Sequence, residues 1–220
     1  MWNNEKLKFI IPARKGSKGM PHKNRVLVPL VINSIPKNLR KNIILSTDDE
    51  EIIKKSIKEG VIIRERPHEL ATDTASLKDV ILDVINFQSI QDDELLAVLY
   101  PTYPERTFQE ILKALEFFHK NNLDSMLCKK KTQTHPYMCM LEKDSIYGSE
   151  LIPHPYYRRQ DYPKCFEVCH YIIILRASEA KKINDVLLNK KTGFYKIKNK
   201  VDVDYKKDYE KYVRGQIYES

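Results

Sequence analysis

The feature that most constrains this chain is an alternation of short apolar runs with amphipathic helical stretches. Residues 8–12 form an apolar strand that leads into a Gly/Ser/Lys loop. Residues 42–46 read as a second strand. The stretch 49–59 follows with Ile52, Ile53 and Ile57 at helical spacing, and Gly60 stands where a helix C-cap glycine belongs. A short strand at 61–63 precedes a helix at 76–87 with Val80, Ile81, Val84 and Ile85 as its buried stripe. Residues 95–100 are a continuous apolar run of the kind found inside parallel sheets. Thr107 and Glu110 have capping-box spacing at the start of a helix over 107–119, and 124–128 reads as another strand. Strand and helix in this rhythm imply an α/β fold, a parallel doubly wound sheet with right-handed crossovers. Such sheets bind ligands at the carboxyl ends of their strands. From about residue 132 to 171 the rhythm breaks into a Pro-, Tyr- and His-rich excursion.

A length of 220 residues suits one such domain and suffices for a proper core. No apolar run approaches the roughly 20 residues needed to span a bilayer. The first eight residues show no export leader, so a cytoplasmic setting is expected. The formal charge of +8 attracts either nucleic acid or small anionic substrates. The lysines are dispersed, with no basic stripe carrying interleaved aromatics, which argues against nucleic acid. Cys165, Cys169 and His170 carry zinc-type donors. A strand over 166–175 sends such neighbours to different faces, so buried thiols are the better expectation.

The richest segment runs Ile10-Ile11-Pro12-Ala13-Arg14-Lys15-Gly16-Ser17-Lys18-Gly19-Met20-Pro21-His22-Lys23-Asn24. Its glycines allow close approach of the backbone to a phosphate, and Arg14, Lys18 and Lys23 supply charge for a triphosphate. It lacks the Walker A pattern, and a solvated basic turn is the competing reading. Asp202 and Asp204 stand at i and i+2 along an expected strand, so both point to one face and can share a hard cation. On spacing alone a solvated acidic patch is equally acceptable.

These segments resemble the acylneuraminate cytidylyltransferases. The basic loop is similar to that family's signature. Ser46-Thr47-Asp48-Asp49-Glu50, Arg66-Pro67-His68-Glu69-Leu70-Ala71-Thr72-Asp73-Thr74-Ala75-Ser76, Tyr100-Pro101-Thr102-Tyr103-Pro104-Glu105-Arg106, Tyr157-Arg158-Arg159-Gln160-Asp161 and Val201-Asp202-Val203-Asp204 follow in the family's order. The resemblance implies a Rossmann-like, mostly parallel sheet in a single domain over 1–220, with a dimerisation arm inserted at about 132–171. It implies a homodimer that transfers CMP from CTP to the anomeric hydroxyl of an acidic nine-carbon sugar and releases pyrophosphate. Ala13, Arg14, Ser17, Lys18, Lys23, Asn24, Arg66 and Ser76 would contact nucleotide. Arg14, Lys23 and Asp204 would carry the chemistry, and Asp202 and Asp204 would hold magnesium. Tyr100, Thr102, Arg158, Arg159, Gln160 and His170 would face the sugar.

The sequence also departs from that pattern. Arg25-Val26-Leu27-Val28-Pro29-Leu30-Val31 replaces the family's Gly-Lys-Pro-Leu run, so the following helix is expected to be short or lost. Tyr100 replaces a Gln, Cys169-His170 an Asn-Gly, and Glu167 an Arg. Two alternatives therefore stand beside the main reading: a nucleotidyltransferase for another sugar or a sugar phosphate, and a catalytically inactive binding relative.

Overall fold

The computed structural model describes residues 6–219. The leader reading at the N-terminus rests partly on residues 1–5, which lie outside the described residues. Among the described residues no helix is long and apolar enough to cross a membrane.

Nine strands and five α-helices follow one another as β1 (Leu7–Pro12), α1 (Lys23–Asn33), β2 (Ile43–Thr47), α2 (Glu50–Ser56), β3 (Ile62–Glu65), α3 (Leu77–Phe87), β4 (Leu95–Val98), α4 (Phe108–Lys120), β5 (Ser125–Lys131), β6 (Met140–Glu142), β7 (Gly148–Glu150), β8 (Phe166–Arg176), β9 (Gly193–Lys196) and α5 (Lys206–Glu219) among the described residues. Seven strands form one sheet in the order β3-β2-β1-β4-β8-β5-β9. All its pairings are parallel except those of β8, which runs antiparallel between β4 and β5. The sheet is thus mostly parallel rather than wholly so.

Side-chain alternation explains the layering. Along β1, Phe9 and Ile11 face a core completed by Val28, Val31 and Ile32 of α1 and by Ile111, Leu115 and Phe118 of α4. Ile10 faces the other side, where Ile81 and Val84 of α3 and Ala180, Ile183 and Leu187 cover the sheet. Each fully buried side chain of this size contributes about 1.5–3 kcal/mol of hydrophobic stabilisation. Local signals agree with the core. Asp49, Ser76 and Thr107 cap α2, α3 and α4, and the Thr107–Glu110 capping box is complete. Gly60 takes φ 72°, a left-handed C-cap.

Three expectations need correction. The segment after Asn24 forms an 11-residue helix, α1, with Pro29 inside it. Burial of Leu27, Val28, Val31 and Ile32 against the sheet offsets the main-chain bond that Pro29 cannot donate. The arm expected at about 132–171 overlaps the main sheet at its end, because 166–171 belong to β8, whose apolar run 171–175 is fully buried. Asp202 and Asp204 do not lie in a strand. Val203 between them is buried, and its N–H donates to the Thr102 carbonyl (2.8 Å), so the segment is pinned locally and the two carboxylates still flank an inward-facing residue. The excursion itself holds the small β6–β7 hairpin and short turns at Pro136–Met138 and Arg159–Asp161.

Candidate active site

The strand order reverses between β1 and β4, whose carboxyl ends open side by side. Doubly wound sheets bind ligands at this kind of switch point. A cavity of about 570 Å³ lies there. Its walls come from the loop after β1, the start of α1, the segment after β3, the Tyr100–Tyr103 turn after β4, His170 of β8 and the 202–205 segment.

The basic loop forms one wall, with Arg14, Ser17, Lys18, Lys23 and Asn24 lining the cavity. Gly16 has φ +82°, which favours glycine, and a Cβ on Gly19 would run into the Asp204 carbonyl oxygen. The loop is braced from below. Lys15 N–H donates to Asp48 Oδ1 (2.6 Å), and Asn24 Nδ2 donates to the Arg14 carbonyl (2.8 Å). Lys23 and Asn24 open α1, so the positive end of that helix dipole faces the cavity. Arg14, Lys18 and Lys23 each have a carboxylate partner. Arg14 Nη2 lies 2.5 Å and Lys18 Nζ 2.7 Å from Asp73 oxygens, and Lys23 Nζ donates to Asp204 Oδ1 (2.8 Å) and to the Val203 carbonyl (3.0 Å).

The adjoining wall is acidic and aromatic. Asp202 Oδ2 accepts from Tyr103 Oη (2.7 Å). Burial, reinforced by this bond, pushes the Tyr103 phenol far up, so it stays a donor. Tyr100 and His170 rings stand 5.3 Å apart across the floor. Burial raises the Tyr100 phenol to about 12 and holds the His170 imidazole below its usual value, hence neutral at pH 7. Arg66 is buried under the cavity, donating to Ser46 Oγ (3.1 Å) and the Ser46 carbonyl (2.9 Å); burial lowers its guanidinium to about 10, still cationic at neutral pH. Arg106 anchors the β4 turn from below by donating to the Tyr100 and Tyr171 carbonyls (2.8 and 2.7 Å).

The cavity thus brings together Arg14, Ser17, Lys18, Lys23, Asn24, Arg66, Tyr100, Thr102, His170, Asp202 and Asp204 from distant parts of the chain. Ala13 is fully buried beside it, donating its N–H to the Ser46 carbonyl (2.9 Å). Ser76 is not a wall residue. Its hydroxyl caps α3 by accepting from the Asp79 N–H (3.1 Å), while Ala75 and Leu77 on either side line the cavity. Arg158, Arg159 and Gln160 lie outside the cavity on the exposed excursion, where Arg158 pairs with Asp161 (2.8 Å). Sequence reasoning missed Tyr103 and Asp73. Both sit inside the quoted motifs, but their partners are 99 and roughly 60 residues away, and only the fold brings them near. The four cysteines are free thiols, Cys128 and Cys169 buried and Cys139 and Cys165 half-buried.

A basic glycine loop and a pair of carboxylates thus meet at the switch point of a mostly parallel, doubly wound α/β sheet, the place where such folds bind ligands. A family model described as cytidylyltransferase matches residues 8–214, and the chain belongs to that family. Among its relatives is an N-acylneuraminate cytidylyltransferase of Streptococcus agalactiae serotype V, 29% identical over 162 residues. That match covers 69% of this chain and 39% of the streptococcal protein, so the chain spans well under half of that relative's length. The post-translational flagellin modification protein B of Campylobacter coli is 30% identical over 198 residues, covering 84% and 83% of the two chains. In fold, the chain is similar to a CMP:2-keto-3-deoxy-manno-octonic acid synthetase complexed with CTP, with a TM-score of 0.67, 15% identity and coverage of 97% and 99%.

Proposed function

We propose that the protein transfers CMP from CTP to the anomeric hydroxyl of a sialic-acid-like nonulosonic acid, releasing pyrophosphate. The observation that carries this reading is the cavity itself, which gathers the cations of the first loop with Asp202, Asp204, Tyr100 and Thr102. Family membership and an N-acylneuraminate cytidylyltransferase among the relatives support the nucleotide and the acidic sugar.

The reaction breaks the bond between the α-phosphorus and the bridging oxygen to the β-phosphate, forms a new bond from that phosphorus to the sugar oxygen, and releases the hydroxyl proton to solvent water. Arg14, Lys18 and Lys23 bind the triphosphate and stabilise the charge that builds on departing pyrophosphate. Arg66 adds positive potential from below. Tyr100, Thr102 and His170 form the sugar-side wall and hold the hydroxyl in line. Tyr103 orients Asp202 through its hydroxyl.

Asp202 and Asp204 fit magnesium. Both present carboxylate oxygens, the donors this hard cation takes, and Lys23 already places a positive charge on Asp204. Two protein carboxylates suffice because magnesium keeps waters and substrate phosphates in its shell. When bound, it supplies charge neutralisation of the phosphates.

The exposed apolar residues of the excursion favour a homodimer, in which Arg158, Arg159 and Gln160 of each chain reach the other's sugar site; the proposed setting is the cytoplasm. Arginine suits this role because it grips a carboxylate with two parallel bonds. A pyrophosphate-release assay over CTP, ATP, GTP and UTP, with nonulosonic acids and sugar 1-phosphates as acceptors, tests the reading. Release with CTP and a nonulosonic acid is expected. Release with a sugar 1-phosphate instead would replace it.

A further inference from the structure

Asp73 stands on an exposed turn between β3 and α3, yet its carboxylate reaches two cations of the first loop. One oxygen lies 2.5 Å from Arg14 Nη2 and the other 2.7 Å from Lys18 Nζ. Arg14 and Lys18 line the cavity, and Asp73, which does not, reaches them from the neighbouring segment between β3 and α3. A carboxylate and a phosphate oxygen offer the same planar or terminal anionic acceptors to a guanidinium and an ammonium, and they compete for them. The hydrogen bond from Lys18 and the charge of Arg14 hold the Asp73 carboxyl below the usual carboxylate range, so it is ionised throughout the neutral range.

We infer that Asp73 is an internal competitor for the phosphate-binding cations, giving them up when the triphosphate enters and reclaiming them as pyrophosphate leaves. The inference rests on the proposed role of Arg14 and Lys18 as phosphate ligands. Its physical content is a fixed cost on every ligand that uses these two side chains. A ligand that does not reach them is unaffected. That cost weakens the hold on CTP slightly and the hold on pyrophosphate equally, which favours product release, a step that often limits turnover. The pairs are partly exposed, with Asp73 44% accessible, so the competition is modest. Asp73 is a positioning residue here, because it touches the binding cations and not the reacting atoms.

The test is calorimetric titration of wild type, Asp73→Asn and Arg14→Ala with three ligands: CTP, inorganic pyrophosphate and cytidine. Asparagine keeps the size of the side chain and removes the competing charge, and the exposed position leaves folding intact, checked by an unchanged Tm. For Asp73→Asn the expected result is binding of CTP and pyrophosphate tighter by at least twofold, and about three- to tenfold overall. Cytidine, which carries no phosphate, should bind as it does to wild type. CTP affinity within twofold of wild type or weaker would overturn the inference, as would an equal gain for cytidine. Arg14→Ala separates the two levels of the argument. If it weakens CTP while Asp73→Asn changes nothing, only the competitor role falls. If it leaves CTP binding unchanged, the phosphate role of the loop falls, and the competitor role with it.

Discussion

The switch-point cavity and the excursion at 132–165 are built in opposite ways. Around the cavity Arg14, Lys18 and Lys23 pair with Asp73 and Asp204, and the layer beneath these pairs is buried. Arg66, Arg106, Ser46 and Thr47 are buried, and the strands beneath are packed on both faces. In the excursion the apolar surface faces outward. Ile146 is 81% and Tyr157 98% exposed, with Met140, Leu141, Tyr147, Leu151 and Ile152 also exposed. Its order comes from rings: His135, Tyr137, His154, Tyr156 and Tyr162 pack on one another, with Tyr137 and His154 stacked at 4.3 Å. The cavity draws its charged and aromatic lining from distant parts of one chain. The excursion has an organised interior and an apolar exterior of the kind that a partner surface covers. On the proposed reading, the difference makes nucleotide binding and subunit association separable, with sugar recognition spanning both regions.

The largest effect should come from the acidic wall. Asp204→Asn keeps the fold, since Asp204 is exposed, and removes the charge that faces the phosphates. A loss of more than about 100-fold in turnover at ordinary magnesium is expected, beyond the roughly 10- to 100-fold typical of groups that only support metal ligands. Full activity of this variant in a steady-state assay would remove Asp204 from the site.

Next comes the basic wall. Arg14→Ala should weaken CTP by about 10- to 150-fold, the equivalent of roughly 1.5–3 kcal/mol for a charge-assisted hydrogen bond. It should leave the oligomeric state untouched. A change in molecular mass by light scattering would break the proposed separation of the two regions.

The smallest effect on nucleotide binding should come from the excursion. Ile146→Asp with Tyr157→Asp places two charges on its exposed face. Self-association should weaken by at least about tenfold in light scattering, since hydrophobic and aromatic contacts at interface centres dominate association. CTP affinity should stay within about twofold, while the affinity for the acidic sugar falls. A wild-type chain that is monomeric at micromolar concentration yet fully active would contradict both the dimer and the shared sugar site.

Sequence periodicity made the first half of the fold legible because its strands are continuous apolar runs and its helices carry clean stripes and caps. The capping box at Thr107 and the glycine at 60 needed no tertiary information. α1 was missed because Val26, Val28, Pro29 and Val31 carry weak helix propensity, and only burial against β1 and β2 makes the segment helical. β9 was missed because its four residues, Gly193–Lys196, are too short to show a period, and its pairing with β5 reaches back across more than 60 residues of chain. The direction of β8 could not be read locally, since an apolar run looks the same in either sense. In the site, the cationic loop and the paired aspartates were legible as local clusters. The Tyr103–Asp202 and Arg14–Asp73 contacts were not, because each joins residues that only the crossovers bring together. Arg158, Arg159 and Gln160 carry donors that suit a sugar carboxylate, but their own chain holds them away from its cavity.

The central claim is that CTP occupies the cavity between the two walls. A crystal structure of the protein with CTP and magnesium tests it most directly. The account predicts the triphosphate between Arg14, Lys18 and Lys23, the cation between the phosphates and the Asp202–Asp204 pair, and Asp73 released from Arg14. Nucleotide bound elsewhere on the surface, or a cavity that stays empty at millimolar CTP, would contradict it.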